Sequence, residues 1–277
     1  MLRKYLSALV TVLTCLCGGI LSVAAQPVGA QSLDEIVTLT VEPGWQTEEG
    51  TWMAALRFTL APGWKTYWRA PGDAGIPPLF TWSGHSNIAA ISLMWPVPHV
   101  FDQAGMRSIG YAGDLVLPVE IWPRDADTAP RLTGRVDIGV CQEICVPVHL
   151  EFDAPVTPVA APRNPAVMAA LFDQPLTAAE AGVSAVRCRI RAELRGMEVT
   201  AEIDMPALGP REDVVVETGN PALWVSEAEV AREGNILRVR ARVIPPHGDS
   251  MMLERSAVRF TVLAEGRAVD IRGCQSF

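Results

Sequence analysis

The sequence predicts an all-β protein built from two β-sandwich domains, and three features of the chain support this prediction. Apolar and polar residues alternate with a period of two in many short runs, as in strands that bury one face. Glycine and proline residues separate these runs, which is typical of antiparallel sandwiches. A proline- and alanine-rich segment divides the runs into two sets. The first set covers residues 37–41, 54–60, 115–121 and 136–140, and the second covers residues 186–194, 199–203, 214–216, 237–243 and 258–262.

The expected domain boundaries follow from the dividing segment. We expect the first sandwich at residues 33–153, a linker with a short helix at 154–182 and the second sandwich at 183–277. The start of the linker carries four prolines among alanines, the composition of a semi-rigid extended chain. The asparagine and proline at 164–165 suit the N-cap and the first position of a helix that continues through 166–172.

The N-terminus has the form of a signal peptide. A positively charged start precedes an uncharged stretch at residues 5–25, and cleavage after Ala25 or Ala30 fits the small-x-small rule. We therefore assign residues 1–30 to a signal peptide and expect an exported protein. An uncleaved membrane anchor is the alternative, because the apolar stretch is long. No later segment of the sequence is apolar enough to span a bilayer, so no transmembrane domain is expected in the mature chain.

The charge balance argues against polyanionic partners. The formal net charge is −8, and loss of Arg3 and Lys4 with the signal peptide would change it to about −10. Such an acidic balance opposes binding to nucleic acid or to an anionic membrane surface. Neither is therefore expected as a partner.

Four cysteines remain in the mature chain, since two of the six, Cys15 and Cys17, lie within the signal peptide. An exported protein enters an oxidising compartment in which cysteines pair, and four cysteines allow three connectivities. Cys188 lies on the apolar face of its alternating run, and Cys274 lies near the chain end. We interpret them as a structural disulfide that closes a loop of about 86 residues and contributes roughly 4.6 kcal/mol in the chain-entropy model. Free buried cysteines are the alternative.

The chain must turn between Cys141 and Cys145 if their sulfurs are to bond. Residues four apart in an extended strand lie roughly 13 Å apart, whereas disulfide-bonded residues have Cα atoms roughly 4.4–6.8 Å apart. A loop of residues 142–144 makes the two cysteines cross-strand neighbours. The register that follows pairs apolar residues with each other and opposite charges with each other. The pairs are Val140 with Val146, Ile138 with Val148, Val136 with Leu150, Asp137 with His149 and Arg135 with Glu151.

This hairpin would place both sulfurs on its polar face near the tip, where a partner protein has access to them. The loop that the disulfide closes is very short, and exposed disulfides of this kind are readily reduced. Spacing alone leaves a redox-active disulfide and a structural one equally open. A helical turn in place of the hairpin is another alternative. A minority alternative is a metal site in which Cys141, Cys145 and His149 bind Cu(I) or Zn(II), although a closed zinc site needs a fourth ligand.

Three separated motifs resemble those of one protein family. Their sequences and their order along the chain resemble the periplasmic N-terminal region of DsbD-type thiol:disulfide interchange proteins. The resemblance is closer to the ScsB branch, which is linked to suppression of copper sensitivity. The motifs cover the first domain, whereas the second half resembles the family by its position and β-rich character. The motifs are Trp64-Lys-Thr-Tyr-Trp-Arg-Ala-Pro-Gly-Asp-Ala-Gly75, Gly110-Tyr-Ala-Gly-Asp-Leu-Val-Leu-Pro-Val119 and Cys141-Gln-Glu-Ile-Cys-Val-Pro147.

The resemblance implies an immunoglobulin-like sandwich that takes electrons from a membrane-embedded partner and passes them to periplasmic thioredoxin-like proteins. Cys141 and Cys145 occupy the positions of the family's redox pair, and the resemblance favours Cys145 as the sulfur that bonds to a partner. It also implies a cap over the disulfide, for which Trp64, Tyr67 and Trp68 with the loop at residues 71–78 are the candidates, and Tyr111 is a further candidate for the same surface. Ordinary core packing is the favoured interpretation of these aromatic residues.

Two departures limit what the resemblance carries over. DsbD itself has a wider cysteine spacing, so its finer residue roles do not transfer. The sequence ends at Phe277 without the membrane and thioredoxin-like parts of the family, so either a separate polypeptide is expected to donate the electrons or the protein has a different role.

The preferred functional hypothesis is a periplasmic protein-disulfide reductase component that exchanges disulfides through Cys141 and Cys145. No cofactor and no metal are expected for this chemistry. A copper-binding or copper-tolerance module that uses the same thiols is one alternative. A non-catalytic interaction module, in which the disulfide is only structural, is the other.

Overall fold

The computed structural model describes most of the chain after the predicted signal peptide. That peptide, with Cys15 and Cys17, lies outside the described residues, as does part of the predicted linker. Within the described part, no helix is both long and apolar enough to cross a membrane. The described residues are 33–84, 87–103, 106–156, 158, 163–246 and 251–277.

The first half of the described chain forms two antiparallel sheets. Its elements are α1 (Leu33–Ile36), β1 (Val37–Gln46), β2 (Trp52–Leu60), β3 (Lys65–Tyr67), β4 (Leu79–Trp82), β5 (Ile88–Leu93), β6 (His99–Gln103), β7 (Met106–Ala112), β8 (Leu115–Pro123), β9 (Arg131–Cys141) and β10 (Cys145–Pro155). One sheet has the strand order β1-β2-β8-β5 and the other β10-β9-β3-β7-β6, with β4 also paired to β9. In the second of these sheets, β10 is therefore an edge strand.

Alternate residues of these strands form the core that both sheets share. This is the result that period-two alternation predicts, because successive side chains point to opposite faces. Strand β2 is an exception, since residues on both of its faces are buried. The central core residues include Leu56 and Phe58 of β2, Leu117, Val119 and Ile121 of β8, and Val136, Ile138 and Val140 of β9.

The predicted short helix is present as α2 (Pro165–Phe172). Asn164 caps it, as predicted, by accepting a hydrogen bond from the backbone N–H of Ala166 at 3.0 Å. Val167 of the helix packs against the outer face of the first sheet, which explains why β2 is buried on both sides. The residues that it meets there are Trp45, Met53 and Ala55. This part of the predicted linker therefore docks on the first half.

The second half forms two further sheets around a separate core. Its strands are β11 (Leu176–Thr177), β12 (Ala185–Glu193), β13 (Gly196–Asp204), β14 (Asp213–Glu217), β15 (Trp224–Val225), β16 (Glu229–Glu233), β17 (Ile236–Ile244), β18 (Arg259–Ala264), β19 (Arg267–Arg272) and β20 (Gln275–Ser276). One sheet has the order β11-β19-β18-β14 and the other β15-β17-β13-β12-β20, with β16 paired to β17. Short strands β11 and β20 pair in parallel with β19 and β12.

The two halves meet over apolar and charged contacts. Leu263 and Ala268 of the second half belong to the core of the first. Arg69 forms an ion pair with Glu217 across the same boundary. The fold is all-β and immunoglobulin-like, as predicted. Because the described residues cluster as one compact unit, the proposed division into domains at residues 154–182 stays a prediction.

Candidate functional site

The hairpin of β9 and β10 ends in a disulfide between Cys141 and Cys145. Its register is the predicted one, with Val140 opposite Val146, Asp137 opposite His149 and each remaining pair as expected. The His149 ring nitrogen Nδ1 contacts the carboxylate of Asp137. The complementary cross-strand pairs therefore predicted the register correctly, and the alternative of a helical turn is wrong.

The two sulfur-bearing residues differ in exposure because their strands lie at different positions in the sheet. Cys145 begins the edge strand β10 and is exposed. Cys141 lies one strand further in, opposite Lys65 of β3, and only 3% of it is exposed. The expectation that both sulfurs are accessible is therefore wrong for Cys141, since β3 covers its side of the hairpin. A thiolate that approaches from solvent has direct access only to Cys145.

Tyr67, at the end of β3, contacts both sulfurs. Its hydroxyl group donates a hydrogen bond to Cys141 Sγ at 3.1 Å and lies 3.0 Å from Cys145 Sγ. The carbonyl oxygen of Ala74 is a further acceptor, 3.3 Å from the same hydroxyl. Burial raises the pKa of Tyr67 above its usual value, because it disfavours the phenolate. The phenol therefore remains a proton donor beside the disulfide at neutral pH.

Two glycines leave room for the Tyr67 ring. A Cβ atom at Gly139 would lie 2.9 Å from the ring atoms Cδ2 and Cε2 and 2.8 Å from Cβ of Ile76. A Cβ atom at Gly75 would lie 2.9 Å from Cδ1 of the same ring and 2.3 Å from Cβ of Pro71. Any larger residue at either position would have to displace the ring or the loop beside it.

The comparisons with known proteins agree with this geometry. Residues 36–157, which contain both cysteines and Tyr67, match the family model described as thiol:disulfide interchange protein DsbD, N-terminal. This region belongs to the DsbD N-terminal family. The family recognition from the three motifs is therefore confirmed, and it supports thiol-disulfide interchange as the general function of this DsbD N-terminal region.

A solved structure extends the likeness beyond the DsbD N-terminal region. The crystal structure of the N-terminal periplasmic domain of ScsB from Proteus mirabilis matches with a TM-score of 0.65 and 22% sequence identity. The match covers 89% of this chain and 96% of that chain, so both halves share its fold. Comparison with curated proteins finds no match.

Of the aromatic candidates for a cap or partner surface, Tyr67 contacts the two sulfurs, whereas Trp64 lies in the core. Trp68 is completely buried in the core. Tyr111 is also buried, and its hydroxyl donates a hydrogen bond to the carbonyl of Pro96 at 2.8 Å. Trp68 and Tyr111 therefore pack in the core, which is the arrangement that the core-packing interpretation describes, and a role of the candidates as a cap or partner surface stays a prediction. Neighbouring residues of an extended chain point in opposite directions, which separates Trp68 from Tyr67.

The geometry gives the metal alternative little support. His149 lies four residues from Cys145 along β10, roughly 13 Å in an extended strand, and it contacts Asp137 instead. Among the residues that the structure describes, no group of three or more His, Cys, Asp or Glu side chains is placed to hold a metal ion.

The second disulfide joins Cys188 and Cys274, the pair that the sequence predicts. Cys188 is fully buried on β12, and the strand that follows Cys274, β20, pairs with β12. The disulfide thus attaches the end of the chain to its sheet. Its purely structural role stays a prediction.

The sequence predicted that the loop at residues 71–78 could contribute to a cap, but it did not single out Gly75, Gly139 or the carbonyl group of Ala74. Gly139 does carry a signal, because a lone glycine within a strand often marks the close approach of another segment. The carbonyl of Ala74 carries none, since every residue has such an acceptor.

Proposed function

We propose that this chain exchanges disulfides in the periplasm and relays electrons from a membrane-bound reductase to thioredoxin-like proteins. The observation that supports the proposal most directly is that the two cysteines of one short disulfide differ in exposure, since Cys145 is exposed and Cys141 is buried. In exchange, one sulfur receives the nucleophile and the other departs as a thiolate. We assign the first role to Cys145, which is exposed, and the second to Cys141, which is buried beside a hydroxyl donor.

The reduction of this disulfide takes two displacement steps. A thiolate of the reduced donor attacks Sγ of Cys145 from the open edge of β10, the bond between Cys141 and Cys145 breaks, and Cys141 departs as a thiolate. The second donor thiolate then attacks the donor's own sulfur in the mixed disulfide, and Cys145 departs. Two electrons have moved to this chain and the donor holds a new disulfide. The same steps in reverse, with an oxidised thioredoxin-like acceptor, restore the bond, so no cofactor is required.

Tyr67 stabilises the departing thiolate in this mechanism. Its hydroxyl oxygen already lies 3.1 Å from Cys141 Sγ, so the negative charge develops next to a donor group that is in position beforehand. A hydrogen bond to a charged group contributes about 1.5–3 kcal/mol. Because burial raises the Tyr67 pKa, this donor is not lost by ionisation at neutral pH.

The partners and the location follow from the same proposal. Thioredoxin-fold proteins accept electrons, and a membrane protein donates them. The periplasmic location rests on the predicted signal peptide and on the family, whose ScsB member is described as a periplasmic domain. The net charge of −8 disfavours nucleic acid as a partner.

A trapping experiment tests the proposal. The Cys141→Ser variant lacks the resolving sulfur, so mixed disulfides through Cys145 should accumulate when the variant is incubated with a periplasmic extract. Mass mapping should identify thioredoxin-fold proteins attached to Cys145. The matched Cys145→Ser variant should capture far less, because its remaining thiol at Cys141 is buried.

One pair of results would contradict the relay. If Cys141→Ser captures no partner and the wild-type pair resists reduction as strongly as Cys188–Cys274, the disulfide is structural. The chain would then be a non-catalytic interaction module.

A further inference from the structure

An ion pair ties the segment next to Tyr67 to the second half of the chain. The guanidinium of Arg69 donates two hydrogen bonds to the carboxylate of Glu217 in β14, from Nε to Oε1 and from Nη2 to Oε2, both at 3.0 Å. Nη2 also lies 3.5 Å from the hydroxyl oxygen of Thr261. The side chains of Arg69 and Glu217 are only 16% and 20% exposed. A bidentate pair in such surroundings fixes the orientation of the guanidinium.

Arg69 in turn contacts the segment that holds Tyr67 in place. Its guanidinium carbon lies 4.0 Å from the centre of the Trp68 ring. The backbone N–H of Trp68 donates to the carbonyl of Ile109 at 2.9 Å, and the N–H of Ile109 donates to the carbonyl of Pro71 at 2.9 Å. An ordered path therefore leads from the ion pair to Tyr67 and to the loop that follows it.

The same loop has open space between it and the second half. A cleft of about 580 Å³ is lined on one side by residues 69–73, 75 and 77 of this loop with Arg107 and Ile109, and on the other by residues 214–228. Arg107 crosses this boundary as well, where it contacts Asp213 and lies 2.7 Å from Glu227. The ion pair of Arg69 thus connects this loop to the second half. Arg107 of β7 adds charged contacts across the same boundary, and Val215 also packs against the core of the first half. Removal of one partner of such a pair leaves the other uncompensated and loosens the attachment.

We propose that Arg69 is a positioning residue for the redox site. Through its pair with Glu217, the second half of the chain keeps the Tyr67 hydroxyl at the sulfur of Cys141. This inference rests on the proposed function and assigns the second half a part in it. When the ion pair is broken, the Tyr67 hydroxyl spends less time at Cys141, and the departing thiolate loses stabilisation.

The rate at which dithiothreitol reduces Cys141–Cys145 in the full chain tests this inference. One dithiothreitol thiolate attacks Cys145, Cys141 departs as a thiolate, and the second thiol displaces Cys145 and closes the cyclic oxidised reagent. Tyr67→Phe should slow the reaction about tenfold or more, since tenfold is the lower end of the effect expected for one lost hydrogen bond to a charged group. Arg69→Gln should slow it about threefold to tenfold. The double variant should be no slower than Tyr67→Phe alone, because both changes remove the same stabilisation.

A buried ion pair within the second half provides the matched control. Arg232 binds the carboxylate of Glu212, and their side chains are 18% and 4% exposed. Arg232→Gln should lower the free energy of unfolding without changing the reduction rate of Cys141–Cys145. If Arg69→Gln does not fold, Glu217→Gln breaks the same pair and leaves Arg69 over Trp68. In a Cys145→Ser background, where Cys141 is a free thiol, Glu217→Gln should also raise the pKa of that thiol relative to Cys145→Ser alone. Thiolate absorbance as a function of pH measures this shift.

The outcomes separate this inference from the proposed function. If Tyr67→Phe is slow but folded Arg69→Gln and Glu217→Gln react at the wild-type rate, the positioning role is wrong and the relay stands. Multiplied rate losses in the double variant would also overturn the positioning role. If the wild-type disulfide itself resists dithiothreitol as Cys188–Cys274 does, the proposed function fails and the inference fails with it.

Discussion

The two disulfides of this chain have the same covalent chemistry but opposite structural settings. Cys141–Cys145 spans four residues at the tip of an edge hairpin, and Cys145 is exposed. Cys188–Cys274 spans 86 residues and begins at a fully buried side chain. The first has an accessible sulfur, a buried leaving group and a hydroxyl donor, whereas the second attaches the chain end to a sheet. The comparison indicates that the protein environment of each disulfide, rather than the bond itself, favours exchange at Cys141–Cys145 and a stabilising role for Cys188–Cys274.

The largest difference should appear in stability when each disulfide is removed. In the chain-entropy model, loss of the long loop costs about 4.6 kcal/mol and loss of the short loop about 2 kcal/mol. The double variant Cys188→Ala with Cys274→Ala should therefore lose about twice as much free energy of unfolding as Cys141→Ala with Cys145→Ala. Urea denaturation under oxidising conditions measures both. An equal or greater loss for the hairpin pair would show that its disulfide is the structural one.

The reduction potentials should separate the two disulfides next. We expect a midpoint above about −250 mV for Cys141–Cys145 and below about −300 mV for Cys188–Cys274, a gap that corresponds to about fiftyfold in the equilibrium constant. Equilibration in dithiothreitol redox buffers, followed by alkylation and mass mapping, assigns each midpoint. Mild reduction should release two thiols before four. Simultaneous release of all four would remove the distinction.

A methyl group at Gly139 should affect the redox site selectively. Gly139→Ala places a Cβ atom 2.9 Å from the Tyr67 ring, so the ring must shift and its hydroxyl should leave the sulfurs. We expect a loss of about 1–3 kcal/mol in unfolding free energy from overpacking and about tenfold slower reduction of Cys141–Cys145. Denaturation and dithiothreitol kinetics measure the two effects.

Gly209→Ala is the matched control for that change, because its Cβ atom would meet Cβ of Ala264 at 3.0 Å in the second half. It should affect stability and leave the reduction rate of Cys141–Cys145 unchanged. A wild-type reduction rate in Gly139→Ala would show that the position of Tyr67 does not matter.

The smallest effect should be an alkaline dependence at the Tyr67 site. Burial raises the pKa of Tyr67 in the folded chain above the usual tyrosine value of about 10. The protonated form is thus favoured by folding, so its contribution to stability is complete below pH 10 and is lost as the pH rises through the raised pKa. The stability difference between the wild type and Tyr67→Phe should shrink above that pH in denaturation series. A difference that is constant with pH would contradict the burial of the phenol.

The sequence alone determined the hairpin and its register. Only one loop length pairs Val140 with Val146 and at the same time Asp137 with His149, so local alternation was sufficient to predict every pair. The cap of α2 and the burial of Cys188 followed from equally local patterns. The family could also be identified from the sequence, because its motifs are short and lie in a fixed order.

The tertiary structure alone decided which sulfur is accessible and which aromatic side chain reaches it. Tyr67 precedes Cys141 by 74 residues, and Arg69 precedes Glu217 by 148. Periodicity shows which face of a strand is apolar, but it does not show which distant strand lies beside it. That choice depends on how all the strands pack together, and it is the packing of β3 against β9 that buries Cys141 and leaves Cys145 at the open edge of the sheet.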